Sequence, residues 1–213
     1  MSHVGALIFD FNGTLSHDEP VLCAVYQGLF AEAGRPLSES DYYEQLCGLS
    51  EEAIIAGWLG VEGDTLARLI EERISRYVER AADGSTILPD TRDALRYAAE
   101  RVPVAICSGA FRAEIEPVLE GAGIRSLIST LVTADDVTDG KPAPDGYLLA
   151  VEILGVASEA VVALEDTEAG VASAKAAGLR CVAVRTTLPV ARLREADELV
   201  DRIDVDLVAR LLG

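Results

Sequence analysis

The stretch Ala6-Leu7-Ile8-Phe9-Asp10-Phe11-Asn12-Gly13-Thr14-Leu15 runs an unbroken apolar segment into a carboxylate and then into a glycine turn. An apolar run without polar alternation reads as a strand covered on both faces, as in a parallel sheet. Ligands of such sheets gather beyond the carboxyl ends of the strands. Asp10 is therefore expected to face a crevice. Gly13 lets the backbone leave the strand through torsions closed to other residues, and Thr14 supplies a hydroxyl for a local bond or an anion. One strand and one turn also fit Asp10 as a plain turn residue, so further strand ends have to decide.

From Thr91 onward, short β-rich runs alternate with helical ones. Val102 to Cys107, Leu131 to Thr133, Val161 to Leu164 and Cys181 to Val184 are strand candidates; Glu114 to Glu120, Gly146 to Leu154 and Ala169 to Ala177 look helical. Such alternation calls for parallel strands joined by right-handed helical crossovers. Pro117 makes the helix near Ala113 either start late or bend. Between about Pro20 and Ala82 the apolar residues recur at helical spacing: Val21, Leu22, Val25, Leu29 and Phe30, later Leu66, Leu69, Ile70, Ile74 and Tyr77. With no strand signal there, this segment reads as a helical insert after the first strand, and Gly84 and Pro89 punctuate the return. Arg68, Arg73 and Arg76 on its last helix could meet a substrate, but a solvated helix face is the better reading.

A chain of 213 residues, half of them apolar, is one large domain or a core with a smaller insert. With 18 Lys and Arg against 36 Asp and Glu, the formal charge of −18 argues against partners such as nucleic acid or anionic lipid. It also repels anions at long range, so a phosphate would have to be captured locally. The four cysteines show no CxxC spacing and read as reduced, packed thiols. Without a signal-like start or a long apolar stretch, the expectation is a cytoplasmic protein with no membrane partner. Nothing in the pattern speaks to oligomeric state.

Three more candidate groups sit just past strand-like runs. Ser108-Gly109 offers a hydroxyl and a flexible amide after Val104-Ala105-Ile106-Cys107, and Lys141 is held in the proline-stiffened loop Asp139-Gly140-Lys141-Pro142-Ala143-Pro144-Asp145. Glu165-Asp166-Thr167 closes Val161-Val162-Ala163-Leu164, where adjacent acids at a buried strand end are costly unless they bind a cation or reach solvent. Hard oxygen ligands of this kind suit Mg²⁺. Taken singly, Ser108 or Glu165-Asp166 also fit helix caps and Lys141 a solvated loop charge. All of them in this order, each at a strand end, are much harder to assign that way.

These motifs together resemble the haloacid dehalogenase-like hydrolases, in particular the branch with β-phosphoglucomutase and phosphoglycolate phosphatase. Asp10-Phe11-Asn12-Gly13-Thr14-Leu15 is similar to the first family motif, Ser108-Gly109 to the second, Lys141-Pro142 to the third, and Glu165-Asp166-Thr167 with Gly170 and Gly178 to the fourth. The resemblance implies an α/β fold: a Rossmann-like parallel-sheet core of residues 1–15 and 83–213 with an inserted all-helical cap of residues 16–82. It implies a Mg²⁺-dependent phosphatase of small phosphorylated metabolites, in which Asp10 attacks phosphorus to give an aspartyl-phosphate that water hydrolyses. Mg²⁺ would be held by Asp10, Asp166 and the main-chain carbonyl of Asn12, with Glu165 in or just behind the coordination shell. Ser108, Gly109, Thr14 and Lys141 would hold the phosphoryl group, with Gly48 of the cap loop Leu46-Cys47-Gly48-Leu49-Ser50-Glu51 closing over the substrate.

The chain departs from that pattern at Asn12, where the family's phosphatases usually carry the aspartate that protonates the leaving oxygen and then activates water. General acid–base help is worth roughly 10²–10⁴-fold, so turnover of ordinary alkyl phosphates should fall by about that range. If nothing else is missing, Asn12→Asp should restore it. Asn12 fits an enzyme tuned to another leaving group, a feeble enzyme or non-catalytic phosphometabolite binder, or a substitution that traps a complex. His17, where this branch often has Asp, reads as a surface residue at the cap hinge rather than a substrate contact. An acid at Glu51, where a mutase would want a base for a second phosphate, ranks a sugar-phosphate mutase below a phosphatase. The acids at 165 and 166 rank a metal-free dehalogenase below both.

Overall fold

The computed structural model describes residues 4–213, so the first three residues of the expected core lie outside the described part. The apolar runs become β1 (Ala6–Phe9), β2 (Val104–Cys107), β3 (Thr130–Val132), β4 (Val161–Glu165) and β5 (Arg180–Val184), joined at the edge by β6 (Glu198–Val200). All pair in parallel, in the order β3-β2-β1-β4-β5-β6. The chain builds outward from β1 to β3, then crosses back to β4 and builds the other way. The carboxyl ends of β1 and β4 therefore flank the switch point, where sheets of this order open a crevice. Phe9 pairs with Leu164 at that end.

Alternate strand residues feed two packed faces. Leu7, Phe9, Val104, Ile106, Val162 and Leu164 join α5 (Pro89–Ala99), α6 (Arg112–Gly121) and α9 (Val205–Leu212) on one side. Ala6, Ile8, Ala105, Cys107, Ala163 and Cys181 meet α7 (Asp145–Leu154) and α8 (Glu168–Ala176) on the other. Cys23, Cys47, Cys107 and Cys181 are free and buried. Pro117 sits inside α6, which begins before it at Arg112. Among the described residues, no helix is long and apolar enough to cross a membrane.

The expected helical stretch after β1 holds α1 (Glu19–Glu32), a short α2 (Glu39–Asp41) continued by a wider turn over Tyr42–Leu46, α3 (Glu51–Leu59) and α4 (Gly63–Ala81). Its apolar stripes, with Leu29, Phe30, Ile55, Leu69 and Ile70, pack into the same cluster as one face of the sheet. Arg73 corrects the sequence expectation. Leu69, Ile70, Arg73, Tyr77 and Ala81 are the buried residues of α4, so position 73 falls on the packed stripe rather than the solvated face. Arg68 and Arg76 do pair with acids on the helix exterior. The Arg73 guanidinium lies between Glu51 of α3 and Glu114 of α6, with Nη2 3.0 Å from Glu114 Oε1.

Arg73 is 1% exposed and Glu114 is fully buried, so removing the cation strands two acids in a poorly solvating interior. Arg73→Met is expected to lower unfolding free energy by about 3–5 kcal/mol in urea titrations. A loss below ~1 kcal/mol would show that water reaches the two carboxylates once the arginine is gone.

Candidate active site

Parallel pairing carries the residues that follow each strand into one crevice. The Asp10 N–H donates to the Leu164 carbonyl at 2.9 Å, which sets Asp10 level with the end of β4. The Ser108 N–H donates likewise to Val132 at 3.0 Å. Lys141 reaches in from the loop before α7. Its Nζ donates to Asp10 Oδ1 at 2.5 Å, to Glu165 Oε1 at 2.5 Å and to the Cys107 carbonyl at 3.0 Å. The Tyr147 hydroxyl of α7 donates to Glu165 Oε1 at 2.8 Å, and the Thr14 hydroxyl donates to Asp166 Oδ1 at 3.0 Å.

Two glycines make room for this crowding. A Cβ at Gly13, whose φ is +73°, would lie 2.1 Å from Asp166 Oδ2, and one at Gly170 in the first turn of α8 would lie 2.0 Å from the Glu165 carboxylate. The caps seen are local. Thr167, not Glu165 or Asp166, caps α8 by accepting the Gly170 N–H at 3.1 Å, while Ser108 Oγ accepts only the Ala110 N–H at 3.1 Å.

Oxygens of Asp10, Glu165 and Asp166 all lie within 4.8 Å of one another, and Asp166 Oδ2 is buried without a hydrogen-bond partner. An orphaned oxygen beside two further carboxylates is a donor set that fits a hard divalent cation. Burial pushes the Asp10 carboxyl up to about 7, with Lys141 pulling against the rise and Glu165 adding to it. Burial and the neighbouring Asp10 and Glu165 charges lift Asp166 well above the carboxylate range. Burial disfavours the Lys141 ammonium, yet Asp10 and Glu165 outweigh it and raise its pKa well above that of an ordinary lysine.

A cavity of about 390 Å³ opens onto this cluster between the strand ends and the helical segment. Asp10, Asn12, Ser108, Gly109 and Lys141 line the sheet side; Gly48, Glu19, Glu51, Tyr42 and Arg73 line the helical side. Of the residues expected at the site, Glu165 and Asp166 lie behind the wall. Thr14 is also off the wall, its hydroxyl turned to Asp166. His17 does not line the cavity either; its N–H donates to the Thr86 carbonyl at 2.8 Å and ties the entry of the helical segment to its return.

Glu19 and Tyr42 were not singled out as site residues by the sequence, whereas Arg73, weighed there as a possible substrate contact, does line the cavity. Glu19 directly follows the acid that starts α1 and looks like a first-turn charge, yet its Oε2 accepts from the Tyr42 hydroxyl at 2.9 Å and the Cys47 thiol at 3.5 Å. Burial, then the Asp18 charge, push it up to about 7.

Residues 4–178 match the family model described as haloacid dehalogenase-like hydrolase. Validoxylamine A 7'-phosphate phosphatase of Streptomyces hygroscopicus subsp. limoneus is 30% identical over 195 residues, covering 91% of each chain. Protein SUPPRESSOR OF QUENCHING 1, chloroplastic, of Arabidopsis thaliana is 29% identical over 95% of this chain, which spans only 20% of that protein's length. Among solved structures, a CbbY mutant from Rhodobacter sphaeroides in complex with xylulose-(1,5)bisphosphate superposes with a TM-score of 0.85 at 27% identity, covering 94% of this chain and 95% of that one.

The raised Glu19 carboxyl makes the folded state bind a proton that the unfolded chain releases. Its contribution is full below about 4.5 and is lost as pH rises through about 7. Glu19→Gln should therefore gain stability relative to the parent across that window, read as thermal midpoints at stepped pH. Parallel curves for the two proteins would show that Glu19 ionises as freely when folded as when unfolded.

Proposed function

The chain belongs to the haloacid dehalogenase-like hydrolases, and on that premise we propose that it is a Mg²⁺-dependent phosphatase of small phosphorylated metabolites. One observation carries this reading: the Lys141 ammonium sits 2.5 Å from both Asp10 and Glu165, beside the partnerless Asp166 oxygen and at the floor of a metabolite-sized cavity. A nucleophile, a fixed cation and a place for a divalent ion are the parts phosphoryl transfer needs.

In the proposed cycle an Asp10 carboxylate oxygen forms a bond to phosphorus as the bond to the leaving oxygen breaks. Water then attacks the aspartyl-phosphate, releasing inorganic phosphate and returning the carboxylate. Lys141, Ser108 Oγ and the amides around Gly109 hold the phosphoryl oxygens. Asp10, Asp166 and the main-chain carbonyl of Asn12 would hold Mg²⁺, with Glu165 behind them, and the ion would neutralise charge on the phosphoryl oxygens. Thr14 supports Asp166 through its hydroxyl. Residues 1–15 and 83–213 form the catalytic core and residues 16–82 the cap, which sets Gly48 and its loop against the core and opens and shuts over the substrate.

The cap side of the cavity narrows the substrate class. Arg73 is the cation there, and it is already held between Glu51 and Glu114. Glu19 and Glu51 face the same space. Among the described residues that line this side, a second phosphate would meet carboxylates with no free cation to receive it, whereas hydroxyls or an ammonium group would find acceptors. We therefore assign a monophosphate whose remainder is hydroxylated or cationic. The validoxylamine phosphatase fits this class by name, and the bisphosphate bound by the CbbY mutant does not. Asn12 favours a second reading, a protein that binds such a phosphate without turning it over.

Phosphate release from a panel of sugar, polyol and amino-sugar monophosphates, with the matching bisphosphates, tests the assignment. Turnover should need Mg²⁺, stop on chelation, favour monophosphates and fall by on the order of 10³-fold or more in Asp10→Asn. Binding of a monophosphate without release of phosphate from any substrate, an activated aryl phosphate included, would establish the binder instead.

A further inference from the structure

Asn12 is the residue at which this chain gives up the usual acid, and the structure shows what occupies its amide. Asn12 Nδ2 donates to Asp18 Oδ2 at 2.9 Å. The Gly13 N–H donates to the other oxygen, Oδ1, at 3.2 Å, and the Tyr77 hydroxyl of α4 closes on Oδ2 from the far side. Asp18 and Tyr77 are fully buried. The amide is oriented by this environment: turned over, its oxygen would face a carboxylate oxygen at hydrogen-bond distance, acceptor against acceptor.

The conformation of Asp18 is a second, independent sign. It stands at the start of α1, where an aspartate ordinarily folds back to cap the first free amides of its own helix. Here its side chain makes no cap bond, and only its main-chain carbonyl receives the Val21 and Leu22 N–H groups. The carboxylate is turned instead to the loop that follows Asp10. Each group donating to it is neutral, so a carboxylate introduced at position 12 would meet a second carboxyl with no cation between them, and the two would either repel or hold one shared proton.

We propose that Asn12 and Asp18 are a matched pair, in which Asp18 is a positioning residue that fixes the amide at 12, and that the missing acid can be restored at 12 only if the charge at 18 is removed. This rests on the phosphatase reading for its catalytic half. Asn12 then belongs to the design of this chain: the carboxylate has moved from the cavity wall to a buried place one layer behind it. Residue 12 still offers its main-chain carbonyl, but its side chain is held as a donor to Asp18 and supplies no acid to a leaving group. It also revises the simple expectation that Asn12→Asp alone recovers alkyl phosphate turnover.

The pair can be exchanged without changing volume or charge. In the double variant Asn12→Asp/Asp18→Asn, the amide oxygen at position 18 still accepts the Gly13 N–H, the amide nitrogen donates to the carboxylate now at position 12, and the Tyr77 hydroxyl turns to accept. The four forms of this cycle are compared by thermal midpoint and by kcat for an alkyl and an aryl phosphate. Asn12→Asp alone should lower the midpoint and raise alkyl turnover by less than tenfold. The exchanged pair should recover the midpoint and raise alkyl turnover by roughly 10²–10⁴-fold, with little change for the aryl phosphate.

Equal midpoints and equal alkyl gains for Asn12→Asp with and without the change at 18 would overturn the pairing. A midpoint that couples across the cycle while no form releases phosphate would leave the pairing standing and remove the phosphatase reading.

Discussion

Three carboxylates crowded at the carboxyl ends of neighbouring strands set the terms for everything around them. Asp10, Glu165 and Asp166 are buried, and their oxygens approach one another within 4.8 Å. Like charges at that range repel strongly in a medium that screens poorly. Lys141 offsets part of this by bridging Asp10 and Glu165, and Thr14 gives Asp166 a single neutral donor. One ammonium against three acids leaves the crevice short of positive charge. A divalent ion would relieve that shortage, and together with Lys141 it would turn a repulsive floor into one that attracts a phosphoryl group.

The sheet exists, in effect, to sustain that crowding. Parallel strands buried on both faces fix the chain so firmly that Asp10 is hydrogen-bonded through its N–H to the strand bearing Glu165. Gly13 and Gly170 then remove the side-chain atoms that would have collided with the acids. The proposed reacting groups come from strand ends, while Glu19, Tyr42, Glu51 and Arg73, which line the opposite side of the cavity, come from the helical segment. That segment shares its apolar cluster with one face of the sheet. Its wall of the cavity is therefore carried on packed helices.

Legibility in the sequence followed the same division. Asp10, Ser108, Lys141 and Glu165-Asp166 could be read because an apolar strand marks its own end, and a polar residue there has few structural duties. β6 escaped because three partly exposed residues at a sheet edge carry no periodic signal. α5 was overlooked beside the stronger strand run that follows it, and α9, whose buried Leu207, Val208 and Leu211 do form a helical stripe, was legible but missed. On helices the rule that charged residues face water misled at Arg73, whose place on the buried stripe of α4 is visible only beside Leu69, Ile70 and Tyr77. Asp18 was hidden for a related reason. An acid at a helix start has an ordinary capping use, and only coordinates show that its side chain is employed elsewhere.

A chain with a formal charge of −18 that binds an anion must separate attraction from selection. On the proposed reading, attraction would be confined to the floor, where Lys141 and a cation held by the acids would act at contact distance. Selection would fall to the carboxylates on the helical side, which would disfavour a second anionic group by leaving it unpaired. The loss of an acid at residue 12 is tolerable within this scheme. Phosphoryl transfer proceeds through a loose transition state whose charge lies mainly on the phosphoryl oxygens, and those oxygens are the ones the floor addresses. What the chain would give up is help to the departing oxygen. Lys141, the strand-end amides and the acids that would hold a metal are all present, so on the proposed reading an alkyl monophosphate would be turned over without an acid at residue 12, and correspondingly slowly.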